Sequence, residues 1–179
     1  MALARTLCLL AAIAALSACG GDEAAEPEVP PSIELTSSAF DAGAPMPRRF
    51  SCDDSELSPP LTWRKVPAGA KSLALVMEDP DAPNGTFVHW TVFKIPPDAR
   101  EFLEGEAPKG ALEGENSFGD VGYSGPCPPE GKAHRYVFSI YALHADLGLE
   151  RGAKPDDVRA AIDEHALARG QLIGTFKRG

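Results

Sequence analysis

The apolar positions of this chain fall mainly into strand patterns. Ser72 to Met77 is a continuous apolar run of buried-strand length. From Phe87 to Ile95 the side chains alternate. Phe87, His89, Thr91, Phe93 and Ile95 share one side, and Val88, Trp90, Val92 and Lys94 share the other. Tyr136 to Leu143 repeats the pattern, with Val137, Ser139, Tyr141 and Leu143 opposing Tyr136, Phe138, Ile140 and Ala142. Both sides of these strands are substantially apolar, so a central position between two layers is expected. Proline and glycine punctuate the pattern at Pro67 to Gly69, at Pro96 and Pro97, and from Pro126 to Gly131.

One stretch has the helical period instead. Pro155 suits a first helical position, Asp156 and Asp157 suit the positive end of a helix, and Gly170 suits its stop. Val158, Ala161, Ile162 and His165 make one core-facing stripe. Leu172 to Lys177 then returns as a final strand. Strands throughout and one late helix predict a mostly β, two-sheet sandwich. No internal repeat appears, and residues 32–179 are enough for one domain with a real core.

The first 31 residues have another character. Arg5 precedes an apolar stretch from Leu7 to Leu16, too short for a membrane span at about 20 residues. Leu16, Ser17, Ala18 and Cys19 form a lipobox, so residues 1–18 read as a lipoprotein signal peptide and Cys19 as the acylated first residue. Ordinary cleavage after the small residues, leaving a free Cys19, is the open alternative. Gly20 after the cysteine fits sorting to the outer membrane, with the domain facing the periplasm. Residues 19–31, rich in Ala, Glu and Pro, read as a lipid-bearing, solvated tether.

Export changes the reading of the cysteines. Cys8 leaves with the signal and Cys19 carries lipid, so Cys52 and Cys127 remain, and an exported domain with an even remainder points to a disulfide. Two reduced thiols in separate loops are the alternative that sequence leaves open. Net charge is −9 with Arg5 included. Loss of Arg5 with the signal takes it to about −10, which argues against nucleic acid and against a general grip on anionic bilayers. Any anion must be held by local donors.

Local chemistry concentrates at Asp79, Pro80, Asp81, Ala82 and Pro83. Two aspartates between prolines cannot form a helix interior; they make a stiff turn that closes the preceding apolar strand and aims its carboxylates. This turn, the His89 and Trp90 pair, the Gly125-Pro126-Cys127-Pro128-Pro129 segment and the His134, Arg135 and Tyr136 triplet together resemble the phosphatidylethanolamine-binding protein family, in its bacterial, Raf-kinase-inhibitor-like branch. The resemblance covers roughly residues 33 to 178. It implies a central antiparallel sheet flanked by a smaller sheet and a C-terminal helix. It implies no cofactor and no resident metal. It carries the family's anion pocket onto Asp79, His89, His134 and Tyr136, with Gly125 and Pro126 on the rim and Asp81 in support. A small anion or phospholipid head group is the implied ligand, taken up by imidazole and phenol donors. Family members are also described as inhibitors of kinases or proteases, which implies a protein partner that nothing in this chain identifies.

Other readings compete. Asp79, Asp81, His89 and His134 could hold zinc in a hydrolase, though the compact H-E-x-x-H spacing is missing. Gly122, Tyr123, Ser124 and Gly125 fall one residue short of a nucleophile elbow. An interaction lipoprotein with a vestigial pocket is the third reading. His144 is expected at the surface, His165 in the helix stripe, Arg135 opposite a carboxylate or another layer, and Trp63 and Trp90 in packing.

Overall fold

A computed structural model describes residue 30, residues 32–106 and residues 109–179. The segment expected to be a signal peptide, the expected lipidation site at Cys19 and nearly all of the expected tether lie outside the described residues. The order of elements is β1 (Glu34–Thr36), β2 (Leu61–Arg64), β3 (Ser72–Asp79), β4 (Phe87–Ile95), β5 (Glu101–Phe102), β6 (Leu112–Glu113), β7 (His134–Leu143), α1 (Pro155–His165) and β8 (Ala166–Phe176). One antiparallel sheet runs β6-β4-β3-β7-β8, and a smaller one runs β1-β2-β5.

The central sheet is buried on both faces, as its two-sided apolar pattern requires. Leu73, Leu75 and Met77 of β3 and Phe138 and Ile140 of β7 pack toward Leu35, Leu61, Trp63 and Phe102 of the small sheet. Ala74, Val76, Tyr141 and Leu143 face the other way, onto Val158 and Ile162 of α1. Each such large side chain, taken fully out of water, contributes about 1.5–3 kcal/mol. Buried Glu78 forms an ion pair with Arg159, which fastens the helix to β3.

Two expectations change. The helix ends at His165 rather than near Gly170, and β8 starts at the next residue. Pairing of β8 along the length of β7, from His134 opposite Phe176 to Leu143 opposite Ala166, overrides the helical propensity of residues 166–169. Gly170 sits inside that strand because a Cβ there would lie 2.2 Å from the Ile33 carbonyl oxygen.

The strict alternation of β4 is also broken. Leu73 pairs with Ile95 but Leu75 with Val92, so β4 carries an extra residue at the Phe93 and Lys94 step, where Lys94 has φ +54°. Ile95 therefore joins Trp90 and Val92 toward the small sheet, while Phe93 enters the helix layer. A second irregularity falls at His89, since Met77 pairs with Trp90 and Glu78 with Val88.

Candidate functional site

The stiff turn after β3 is tied to the start of β7 by both of its aspartates. Asp79, 3% exposed, accepts the Asp81 backbone N–H at 2.8 Å through Oδ1 and the Nδ1–H of His134 at 2.7 Å through Oδ2. Asp81 accepts the Arg135 backbone N–H at 2.9 Å and grips its guanidinium through Nε at 2.9 Å and Nη2 at 2.7 Å. These hydrogen bonds hold the Asp81 carboxyl below the usual carboxylate range. Of the two surroundings expected for Arg135, a carboxylate or another layer, the structure shows the carboxylate, that of Asp81.

The bulge in β4 re-aims His89. As the unpaired extra residue, it turns its ring against Tyr136 of β7, with ring centroids 5.3 Å apart at 75°. Its Nδ1 lies 2.8 Å from the Ser124 carbonyl oxygen, which can only accept, so Nδ1 carries the proton. Burial lowers the pKa of His89 below its ordinary 6.5. Both histidines are therefore anchored through Nδ1–H. Nε2 of each becomes a donor only when the ring is charged.

These side chains meet at a cavity of about 480 Å³. Asp79, His89 and His134 line it, together with Pro83, Phe87, Phe118, Cys127, Pro128 and Pro129. Tyr136 lies beneath. Its hydroxyl is buried and makes no hydrogen bond among the described residues; burial, with Asp79 nearby, pushes the phenol well above its usual range. Gly125 and Pro126 stand behind the lining. The Gly125 N–H donates to Glu56 Oε1 at 3.0 Å, and the Pro126 carbonyl accepts from Cys52 N–H at 3.2 Å. A Cβ on Gly125 would come within 2.4 Å of the Phe50 carbonyl oxygen, so only glycine lets the two loops touch. The Cys52–Cys127 disulfide joins the same loops, with Cα atoms 5.4 Å apart, and fixes the cavity wall that Cys127, Pro128 and Pro129 supply.

Asn116 is a residue that pattern reading misses. It is 3% exposed. Nδ2 donates to the Gly122 carbonyl and Ser124 Oγ, both at 3.1 Å, while Oδ1 accepts from Phe118 N–H at 2.9 Å and Asp120 N–H at 3.2 Å. One side chain thus sets both the aromatic wall at Phe118 and the carbonyl that orients His89. Ser124, in the near-match to a nucleophile elbow, accepts from Asn116 Nδ2 through its hydroxyl oxygen and from the His89 Nδ1–H through its carbonyl.

The zinc reading lacks an assembled ligand set. Among the described residues no group of three or more His, Cys, Asp or Glu is placed to hold a metal ion. Asp81 is turned to Arg135 and Asp79 to His134. His144 is exposed, and its ring meets that of His165 at the end of α1, 4.9 Å away at 84°, remote in the sequence pairing from His134.

The model of a protein family described as phosphatidylethanolamine-binding protein matches residues 36–177. A UPF0098 protein of Methanothermobacter thermautotrophicus is 45% identical over 152 residues, which cover 82% of this chain and 100% of the relative. A Mycobacterium tuberculosis protein named "Putative lipoprotein LppC" is 39% identical over 187 residues, 94% of this chain and 92% of its own. Among solved structures, Escherichia coli YbcL, described as a member of the mammalian PEBP family, superposes with a TM-score of 0.79 at 29% identity, covering 83% of this chain and 99% of YbcL.

Proposed function

The chain belongs to the phosphatidylethanolamine-binding protein family, and from that premise we propose that it is a membrane-anchored binding protein, not an enzyme, whose cavity takes a small anion or the phosphate-bearing head group of a phospholipid. The observation that carries the reading is the pair His89 and His134 in the wall of one cavity, each held through Nδ1. That anchoring leaves two Nε2 atoms as the donors a charged ring would offer to oxygen. The Ser124 hydroxyl accepts from Asn116 Nδ2, and no hydrogen bond from it to a histidine or carboxylate base is seen among the described residues.

The anchor is assigned to Cys19, on the outer membrane and facing the periplasm. Its support is the lipobox at Leu16 to Cys19 and the alignment with LppC, which extends over more of this chain than the domain alone. Calorimetric titration of the purified full-length protein with sulfate tests the binding function, and saturable uptake at one site is expected. No saturable heat or chemical-shift change with sulfate or phosphate contradicts it. Mass spectrometry of the membrane-extracted protein should show an acylated Cys19.

A further inference from the structure

The cavity and the point where the chain enters the domain lie at opposite ends of the central sheet. Asp79, Phe87 and His134, at the end of β3 and the starts of β4 and β7, mark the cavity end. The entering chain pairs at the other end. The Arg169 N–H donates to the Pro30 carbonyl, and the Ser32 and Ile33 N–H groups donate to the Arg169 carbonyl. Arg169 pairs with Tyr141 of β7, whereas Phe176 pairs with His134. At about 3.4 Å per residue, the entry point lies roughly 24 Å along the strand from the cavity.

The corner around the entry is basic, in a chain whose net charge is −9. Glu34, the first residue of β1, stands opposite Arg64 and forms an ion pair with Lys65. Lys71 precedes β3 and Lys94 lies near the end of β4, where Ser72 pairs with Leu143 and Leu73 with Ile95. Arg100 precedes β5 and donates to the Pro97 and Ala99 carbonyls. Arg64, Lys71 and Lys94 have no carboxylate partner among the described residues. With Arg100 they outnumber Asp98 and Glu101, the carboxylates of the same segments. Asp163 and Glu164, near the end of α1, belong to the helix layer across the central sheet.

If Cys19 carries lipid, the chain from Cys19 to Pro30 can reach at most about 40 Å. A domain of this size is about as wide, so it stays close to the bilayer, and the basic corner is where it is attached. Each basic side chain held against an anionic surface favours the docked state about fivefold.

We propose that the entry corner, through Arg64, Lys71, Lys94 and Arg100, rests on the anionic surface of the bilayer that holds the Cys19 lipid, with the cavity opening away from that bilayer. The inference rests on the anchored reading given above. The contact is local, since the remainder of the chain is acidic, and it presents the cavity to the aqueous space.

The test uses the full chain as processed and acylated in membranes, with its disulfide intact and one added reporter cysteine. Ala68→Cys places the reporter in the exposed turn of the entry corner, and Glu130→Cys places it in the exposed loop beside the cavity. Each is labelled with a fluorophore and reconstituted into phosphatidylcholine vesicles, with or without phosphatidylglycerol, that contain a head-group nitroxide lipid as quencher. With phosphatidylglycerol present, quenching at the Ala68 position should exceed quenching at the Glu130 position several-fold. The combined variant Arg64→Gln, Lys71→Gln and Lys94→Gln should remove most of that difference, and so should about 0.5 M salt, which screens surface charge. Equal or greater quenching beside the cavity overturns the inference. So does a difference that persists in the combined variant and without phosphatidylglycerol. Protein recovered free of the vesicles with Cys19 unacylated overturns the anchored reading instead.

Discussion

Asp79 and His134 lie 2.7 Å apart, carboxylate oxygen to ring nitrogen, with 4% and 11% of their side chains exposed, and they join the last residue of β3 to the first of β7. The pair does two jobs in one contact: it closes the end of the central sheet and sets the tautomer of a cavity histidine. Asp81 repeats the link on the outside with Arg135.

Removing Asp79 should cost more than removing Asp81. Asp79→Ala leaves the His134 Nδ1–H and the Asp81 N–H without their acceptor in a buried place, a loss of about 1.5–3 kcal/mol. Asp81→Ala breaks a bidentate pair that is largely solvated, and should cost about 1 kcal/mol or less. Urea denaturation midpoints at constant slope read both values.

The pH dependence follows from His89. Its folded pKa is lowered from 6.5 by burial, so the unfolded chain binds the proton more readily. Stability from this group is present above the unfolded value of about 6.5, falls as pH drops through it, and stops falling once pH passes below the folded pKa. Binding of a fixed-charge anion should move in the opposite direction, because only the charged ring donates from Nε2. Histidine-resolved NMR should place the free His89 pKa below 6.5 and show it rising with saturating sulfate. No shift with saturating sulfate contradicts a direct His89 contact.

Reducing the disulfide removes a constraint on a loop of 75 residues in sequence separation. The expected loss is about 4 kcal/mol on the chain-entropy account. The double variant Cys52→Ser with Cys127→Ser should show it as a lowered unfolding midpoint, and should weaken ligand binding by loosening the Pro128 and Pro129 wall.

Much of this was legible in the sequence. The β3, β4 and β7 strands announce themselves because a sheet covered on both faces needs apolar residues on both sides, and the prolines around Asp79 and Asp81 leave only a turn. Periodicity fails where backbone pairing decides. The bulge that aims His89 is a register effect, invisible in a strand that alternates cleanly on paper. The segment from Ala166 to Arg169 favours a helix, yet it pairs with β7, and Gly170 marks a close approach of Ile33 rather than a helix end. Gly125 and Pro126 fit the motif but support the cavity wall from behind. Asn116 carries no signal beyond that of a turn former, because its importance lies in four hydrogen bonds made across a loop.

That hub yields a further expectation. Asn116→Ala removes the two hydrogen bonds donated by Nδ2 and the two accepted by Oδ1 of a buried amide, so stability should fall by about 2–3 kcal/mol. Sulfate affinity of the remaining folded protein should fall as well, since the Ser124 carbonyl no longer holds the His89 ring. Denaturation and calorimetry on the same preparation separate the two effects.

The central claim is that His89 and His134 together hold an oxyanion in the cavity, and sulfate affinity in three histidine variants tests it most directly. Loss of one charge-assisted hydrogen bond is worth about 1.5–3 kcal/mol, roughly ten- to a hundredfold in affinity. His89→Ala and His134→Ala should each show such a loss at about pH 6, while His144→Ala, exposed just beyond the far end of β7, should bind like the unaltered protein. Equal sulfate affinities in all three folded variants would contradict the account and place the anion elsewhere.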